Sequence, residues 1–285
     1  MNPYYIDEPT SISFSGGRTS AYMLYQVLEA NNGVPNDMVV TFANTGREMP
    51  QTLDFVHACS AHWGVPIVWL ELAGMKRTII ENKERAELDK SFKIVDYDTA
   101  SRNGEPFKIL LDGIPSQPNA VMRTCTAYLK IHAMRWYLDE LGWERPHVQM
   151  IGIRADEMRR AAKIQANPVA DGSERVLPLV QAGVTKYTVG DFWEKQAFDL
   201  KLPNNNGTTD WGNCDLCFLK SFQKKISIIR ARPDLADWWI KREEESQQPF
   251  RKDHPDYKHM LRLSAETADM FSDIDDESIP CFCGD

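Results

Sequence analysis

The feature that most constrains the fold is a strand that runs into a glycine turn and then a helix, close to the start of the sequence. Residues 11–17 alternate Ile12 and Phe14 with small residues and end in two glycines, a pattern typical of a short strand followed by a tight turn. Residues 20–30 carry apolar side chains at helical spacing, which predicts a helix directly after the turn. The order strand, glycine turn, helix is the first half of a βαβ unit.

The same alternation continues along the chain. An apolar run at 38–43 predicts a buried strand, residues 50–63 a helix and residues 66–72 a third strand. A helix over 125–141 and a strand over 147–153 resume the pattern. Strands that alternate with helices at this spacing predict right-handed crossovers and a parallel sheet.

The remaining segments are less regular. We expect an irregular excursion over 74–120, a short helix over 191–200 and a loop over 203–213. Residues 217–272 are predicted to be helical, and 279–285 form a short tail. The predicted organisation is therefore an α/β domain over 1–202 and a helical C-terminal subdomain over 203–285.

Composition excludes several classes of protein. In 285 residues, 42% are hydrophobic and 26% are charged, which is ordinary for a folded, soluble chain and excludes disorder as the main state. The net charge of −8 argues against strong non-specific DNA binding. No apolar run approaches the roughly 18 residues of a membrane span, and no secretory signal is visible. We expect a cytoplasmic protein with no membrane partner.

The glycine turn has the chemistry of an anion site. It stands where parallel α/β proteins bind ligands, and its amides, with those of the following helix turn, can point at a phosphate. Hydroxyl groups and one arginine add donors; the alternative is a plain tight turn before a capped helix. The predicted contact residues are Ser13, Ser15, Gly16, Gly17, Arg18, Thr19 and Ser20.

Ser15-Gly16-Gly17-Arg18-Thr19-Ser20 resembles the PP-loop of the adenine nucleotide alpha-hydrolase superfamily. Within that superfamily the chain looks like the phosphoadenosine phosphosulfate (PAPS) reductase family. Four further segments match the motifs of that family in order: 41–55, 123–130, 152–160, and Leu177-Pro-Leu179 with Asp191-Phe-Trp193.

The resemblance implies a doubly wound, mostly parallel α/β sheet with a helical, cluster-bearing C-terminal subdomain. It also implies an adenine nucleotide (PAPS, adenylyl sulfate or ATP) across the ends of the first two strands. The further nucleotide-binding residues that it implies are Asn44, Thr45, Gly46, Glu48, Gly152, Arg154, Glu157 and Arg160.

Two departures from the family patterns bear on activity. Thr19 stands where many pyrophosphatase members carry an aspartate that helps to hold a magnesium ion, and Met158 replaces a usual serine. A magnesium ion beside the phosphates is therefore an expectation tied to the ATP-cleaving alternative.

Cysteines form the second candidate site. Cys214 and Cys217 make a C-x-x-C pair, which alone allows a redox dithiol, half of a zinc site or half of an iron–sulfur site. Family resemblance implies a [4Fe–4S] cluster, with structural zinc as the alternative, held by this pair, Cys125 and a tail cysteine, for which we expect Cys283. The other tail cysteine, Cys281, is then the expected catalytic nucleophile, although the tail departs from the usual family ending.

Three functions remain open from the sequence. The first is reduction of an adenylyl sulfate by thiol attack, with a thioredoxin-like reductant as partner. The second is an ATP pyrophosphatase that adenylates a substrate for sulfur transfer to nucleic acid, a partner that the acidic net charge does not favour. The third is a non-enzymatic, nucleotide-binding iron–sulfur sensor or adaptor. We expect a homo-oligomer.

Overall fold

The computed structural model describes residues 2–80, 83–87, 91–204 and 208–266. The first part of this chain follows the predicted alternation closely. Its elements are β1 (Thr10–Ser13), α1 (Arg18–Ala30), β2 (Met38–Ala43), α2 (Pro50–Trp63) and β3 (Ile67–Leu72). Buried apolar residues, such as Ile12 on β1 and Val40 on β2, explain why these segments form interior strands.

The middle of the chain contains more regular structure than its sequence pattern indicates. Its strands are β4 (Lys76–Ile80), β5 (Lys83–Glu87) and β6 (Phe92–Val95), and its helices are α3 (Glu105–Gly113), α4 (Thr124–Thr126) and α5 (Ala133–Glu140). A π-helical turn, Ala127–His132, joins α4 to α5, so the helix predicted over 125–141 is confirmed with an altered winding.

The irregular excursion predicted over 74–120 is wrong in part. Strand β6 pairs antiparallel with β3, and β4 pairs with β5 as a separate two-stranded sheet. Two of the four residues of β6 are exposed, with Ile94 60% exposed. Because neither face of this edge strand is buried, its sequence shows no alternation of apolar and polar residues. Its position in the sheet is therefore set by pairing with the neighbouring strand.

The later elements are β7 (His147–Ile151), α6 (Met158–Gln165), β8 (Val169–Ala170), β9 (Ser173–Val176), α7 (Pro178–Gln181) and α8 (Lys186–Trp193). The helix predicted over 191–200 is wrong in position. Helix α8 starts earlier because Thr185 and Thr188 form a capping box that fixes its first turn.

The C-terminal part carries α9 (Phe222–Ala231), a short 3₁₀ turn (Pro233–Leu235), α10 (Ala236–Ser246) and α11 (Tyr257–Glu266). The prediction of helix over 217–272 is confirmed for these stretches, but the chain is not helical over 247–256. Pro249 and Pro255 explain the break, because proline removes a backbone donor and ends a helix. Residues 267–272 lie outside the described part of the chain, as does the tail predicted over 279–285.

Seven strands form one sheet in the order β6-β3-β2-β1-β7-β9-β8, in which β3, β2, β1, β7 and β9 are parallel. The α/β fold class with a mostly parallel sheet and a helical C-terminal region is confirmed. Strand β1 lies between β2 and β7, and Ser13 is in register with both Thr41 and Ile151. The chain reverses its direction of winding here, and the carboxyl ends of β1 and β7 therefore border a crevice suited to a ligand.

Two large apolar cores stabilise the described structure. The first packs α1 and α2 against the sheet, with Leu24, Val56 and Phe42 fully buried. The second joins α3 and the π-helical turn to the C-terminal helices, around Phe107 and Trp239.

The domain boundary predicted between residues 202 and 203 stays a prediction. In the described chain, no helix combines the length and the apolar character needed to cross a membrane.

Candidate nucleotide and thiol site

The glycine turn after β1 is held by serine hydroxyls. The backbone N–H of Ser15 donates to Ser20 Oγ at 3.2 Å, and the hydroxyls of the two serines lie 2.9 Å apart. Ser20 Oγ in turn donates to the carbonyl of Gly17 at 3.0 Å. Helix α1 begins at Arg18, and the N–H groups of a helix's first turn lack partners inside the helix. The predicted anion site therefore has a defined local structure.

Gly16 is a position where a side chain does not fit. Its φ of +79° is unfavourable for other residues, and a Cβ there would lie 2.7 Å from Thr52 Cγ2. The glycine thus allows the turn to lie directly against α2.

We expect Gly16→Ala to lower the free energy of unfolding by about 2–4 kcal/mol, because backbone strain adds to overpacking. Gly64→Ala is the matched control, since Gly64 also has a positive φ, +60°, but nothing lies within 4 Å of its Cβ position. That control should cost only about 1–2 kcal/mol. Urea denaturation of both variants checks the difference, and equal losses would contradict the steric argument.

The loop after β7 brings an arginine to the glycine turn. Arg154 is 7% exposed and donates from Nη1 to Thr19 Oγ1 at 2.9 Å. Its Nε donates to Asp156 at 3.1 Å, and its backbone N–H donates to Glu157 at 3.0 Å. Glu157 also pairs with Arg160. The structure therefore places Arg154 at the turn and uses Glu157 and Arg160 to brace the loop that carries it.

Gly152 allows this loop to approach α1. A Cβ on Gly152 would lie 3.1 Å from the Cα of Ser20, which is tighter than ordinary contact. The predicted Gly152 position is thus explained by close packing of the end of β7 against the first turn of α1.

A pocket lies above the glycine turn, between the loops after β1 and β7. Arg18 and Arg154 supply its positive charge, and no aspartate or glutamate is among its described lining residues. These are Ser15, Gly16, Gly17, Arg18, Thr19, Thr52, Arg154, Leu200, Thr208, Thr209, Gly212 and Asn213. Two guanidinium groups with clustered hydroxyls and amides favour an anionic ligand.

Arg18 pairs with a carboxylate on the segment after α8. Its Nε donates to Asp199 at 2.7 Å, and its Nη2 forms an ion pair with the same carboxylate. Trp193 Nε1 donates to the Arg18 carbonyl at 3.0 Å. Arg18 therefore also anchors the segment after α8, which sequence reasoning did not predict.

The turn after β2 is buried and satisfied by its own side chains. Asn44 donates to Glu71 at 2.7 Å and accepts from the N–H of Gly46 at 3.0 Å. Glu48 accepts from both the N–H and the hydroxyl of Thr45 at 2.9 Å. The structure places Asn44, Thr45, Gly46 and Glu48 together, but outside the lining of the pocket. Their contact with a nucleotide stays a prediction.

Cys214 and Cys217 lie next to this second turn. Both residues are 8% exposed, and Cys214 Sγ lies 3.4 Å from Thr45 Oγ1. Burial, followed by the nearby Glu48 carboxylate, raises the pKa of Cys214 well above its usual value, and Lys130 opposes this. In a protein without metal this thiol is therefore protonated at neutral pH.

The described part of the chain contains two further cysteines, Cys59 and Cys125. Cys125 is half-buried and packs against the apolar core that contains Cys214 and Cys217. The described part of the chain contains no group of three or more His, Cys, Asp or Glu side chains placed to hold a metal ion. Cys281 and Cys283 lie outside it. Cys59 is fully buried, and burial raises its pKa.

Sequence reasoning missed several residues around the site. Thr208, Thr209 and Asn213 line the pocket from the loop over 203–213, and the density of Thr and Asn there is a signal that could have indicated polar contacts. Arg47 and Asp215 form a buried ion pair between the second turn and the C-x-x-C segment. No spacing in the sequence links these two residues, which are far apart in the chain.

Comparison with known proteins places this architecture in a family. The model of the phosphoadenosine phosphosulfate reductase domain matches residues 9–194. An uncharacterized nin region protein, ORF290, of Escherichia phage lambda is 30% identical over 220 residues, which cover 75% of this chain and 67% of the phage protein. A solved structure, the U34-tRNA thiolase NcsA from Methanococcus maripaludis with its [4Fe–4S] cluster, is 15% identical with a TM-score of 0.39, and the match covers 91% of this chain and 72% of that one. The match to the family model, which extends from β1 to the end of α8, shows that this chain belongs to the phosphoadenosine phosphosulfate reductase domain family.

Proposed function

We propose that the protein binds an adenylyl sulfate on the glycine turn and reduces it by thiol attack. The observation that carries this proposal is the contact between Arg154 and Thr19, at the base of a pocket whose described lining has no carboxylate.

The contact distinguishes two ways of neutralising a phosphate. A magnesium ion is usually held by carboxylates together with phosphate oxygens, whereas arginine binds the oxygens directly through its planar fork. Here Thr19 occupies the position of the pyrophosphatase aspartate, and the Arg154 cation donates to its hydroxyl at 2.9 Å. A fixed cation at this point favours a metal-free anion over magnesium-bound ATP.

The proposed reaction uses the tail thiol as nucleophile. The Cys281 thiolate attacks the sulfur of the adenylyl sulfate, and the bond between sulfur and the phosphate oxygen breaks. The adenine nucleotide leaves with that electron pair, and the sulfonate stays on Cys281 as a thiosulfonate. One thiolate of a dithiol reductant of the thioredoxin class then attacks Sγ of Cys281, the bond between Sγ and the sulfonate breaks, and sulfite leaves with the electron pair. The second thiol of the reductant resolves the mixed disulfide, which restores the Cys281 thiol and leaves the reductant as a disulfide.

The chain's own residues would act on the leaving nucleotide. Arg154 and the amides of the glycine turn stabilise the negative charge that develops on the phosphate oxygens as the bond breaks. Arg18, anchored by Asp199, adds positive charge at the same pocket. Because Arg154 is buried and hydrogen-bonded to Thr19, it needs little reorganisation during the reaction.

Calorimetric titration with adenosine 5′-phosphosulfate and with ATP, each in EDTA and in magnesium, tests this function. We expect the phosphosulfate to bind equally well in both conditions, and mass spectrometry to detect a sulfonate adduct on the tail peptide. Binding of magnesium-ATP alone, with pyrophosphate release, would favour the adenylating alternative. Tight nucleotide binding without turnover would favour a sensor.

We also propose a [4Fe–4S] cluster held by Cys125, Cys214, Cys217 and Cys283. Burial and C-x-x-C spacing of Cys214 and Cys217 suit two ligands of a cluster, and Cys125 packs against the same apolar core. A cluster there would supply redox-active iron beside the turn over 44–48. The described residues do not by themselves complete a ligand set, so no step of the proposed reaction passes through the cluster.

Cys214→Ser is expected to abolish cluster binding, because loss of one ligand of a C-x-x-C pair opens the site. Anaerobically purified protein should contain about four irons per chain, and the variant well under one. Cys59→Ala is the control, since Cys59 is buried in the other apolar core and should leave the iron content unchanged. Full iron content in Cys214→Ser, or zinc without iron in the unmodified protein, would contradict the assignment.

A further inference from the structure

The turn over 44–48 is joined to the C-x-x-C segment through the backbone. Glu48 and Cys214 form an antiparallel bridge, and the N–H of Asp215 donates to the carbonyl of Arg47 at 2.8 Å. The hydroxyl of Thr45 lies 3.4 Å from Cys214 Sγ. The loop that follows β2 and the two buried cysteines are therefore parts of one connected structure.

A buried ion pair reinforces this junction. Arg47, 8% exposed, pairs through Nη2 with the carboxylate of Asp215, which is 3% exposed and stands between the two cysteines in the sequence. Asp215 also accepts from Trp239 Nε1 at 2.8 Å and from the N–H of Leu216 at 2.6 Å. Such a pair is costly to separate, because either charge would be left buried without its partner.

Surrounding groups leave Arg47 little room to move independently. Its guanidinium lies over the ring of Trp238, 5.1 Å from the centroid. Gly104 packs against both, since a Cβ there would lie 2.8 Å from Arg47 Cδ and 2.6 Å from Trp238 Nε1. The N–H of Gly104 donates to the carbonyl of Gly46 at 2.8 Å. A displacement of the turn must therefore move Arg47, and Arg47 must carry Asp215 with it.

We propose that Arg47 and Asp215 are positioning residues that couple nucleotide binding at the turn over 44–48 to the conformation of the Cys214–Cys217 segment. This coupling rests on the proposed function and on the predicted contact of the nucleotide with Asn44, Thr45, Gly46 and Glu48, which lie outside the described lining of the pocket. The bound nucleotide fixes the turn, the ion pair transmits that restraint to Asp215, and the cysteines on either side are held in place. Neither residue is among those that we assign to the nucleotide or to the metal.

Hydrogen–deuterium exchange of the full-length protein tests the coupling without depending on metal content. Saturating adenosine 5′-phosphosulfate is expected to slow exchange at residues 215–219 by about fivefold or more, a typical size for coupling between two sites. Gly212 and Asn213 line the pocket and are left out of the comparison. The double variant Arg47→Met/Asp215→Leu removes both charges at similar volume, a replacement that proteins often tolerate. It should bind the phosphosulfate with affinity retained and show no ligand-dependent slowing.

If the ion pair had a purely structural role, the double variant would differ in stability, but the ratio of its exchange rates without and with ligand would be unchanged. Slowing that persists in the double variant would therefore overturn the role of the ion pair. Binding by the unmodified protein without slowing would overturn the coupling alone, while failure to bind any adenine nucleotide would overturn the proposed function and the coupling with it. If the double variant does not fold, Arg47→Lys keeps the charge but not the forked geometry, and its ligand-dependent slowing should be smaller than that of the unmodified protein.

Discussion

Replacing Arg154 with alanine is expected to weaken binding of adenosine 5′-phosphosulfate by roughly 30- to 150-fold. Arg154 is almost fully buried, lines the pocket and donates to Thr19 at the base of the glycine turn. A hydrogen bond to a charged group contributes about 2–3 kcal/mol, which corresponds to the stated range of affinity. The measurement is calorimetric titration of the variant in EDTA.

Two controls make this prediction specific. Arg159→Ala removes the same charge from an exposed position in the same segment, and it should change affinity little. Arg154→Lys keeps the charge but loses the planar fork, so its affinity should fall between those of the alanine variant and the unmodified protein. A folded Arg154→Ala protein with unchanged affinity would show that the anion binds elsewhere.

Replacing Trp239 with alanine is expected to lower the free energy of unfolding by about 3–5 kcal/mol, the usual range for a large buried aromatic residue. Trp239 is fully buried, and its ring packs against Phe250 and Tyr257 with centroids 5.1 and 5.3 Å away. Its Nε1 also donates to Asp215. Because a folded domain has only about 5–15 kcal/mol of stability in total, this loss is a large fraction.

The neighbouring tryptophan is a matched control. Trp238 is only half-buried, and its ring contacts Phe107 and the guanidinium of Arg47. Trp238→Ala should cost about 1–2 kcal/mol, since less area is lost and cation–π contacts contribute about 0.5–2 kcal/mol. Trp239→Phe retains most of the packing and removes the N–H donor, which should cost about 1–3 kcal/mol. Urea denaturation compares all three, and equal losses for the two alanine variants would contradict this account.

The N-terminal half of the fold could be predicted because local pattern and tertiary environment agree there. Interior strand β2 is apolar except for Thr41, and α1 and α2 have the spacing of helices packed on a sheet. Edge strand β6 and helix α8 were missed or misplaced for the opposite reason. Pairing with β3 fixes β6, and the Thr185–Thr188 capping box fixes the start of α8, and neither leaves a strong apolar periodicity.

The alternation from β1 to β3, the glycine turn after β1 and the residue types that can bind an anion could be predicted from sequence, because these depend on neighbours in the chain. Which distant residues meet depends on the path of the folded chain. That path brings Arg154 to Thr19 across the crevice between β1 and β7, and Arg47 to Asp215 beside the cysteines. A buried charge is stable only beside its partner, and which partner it contacts depends on how the chain winds around the sheet.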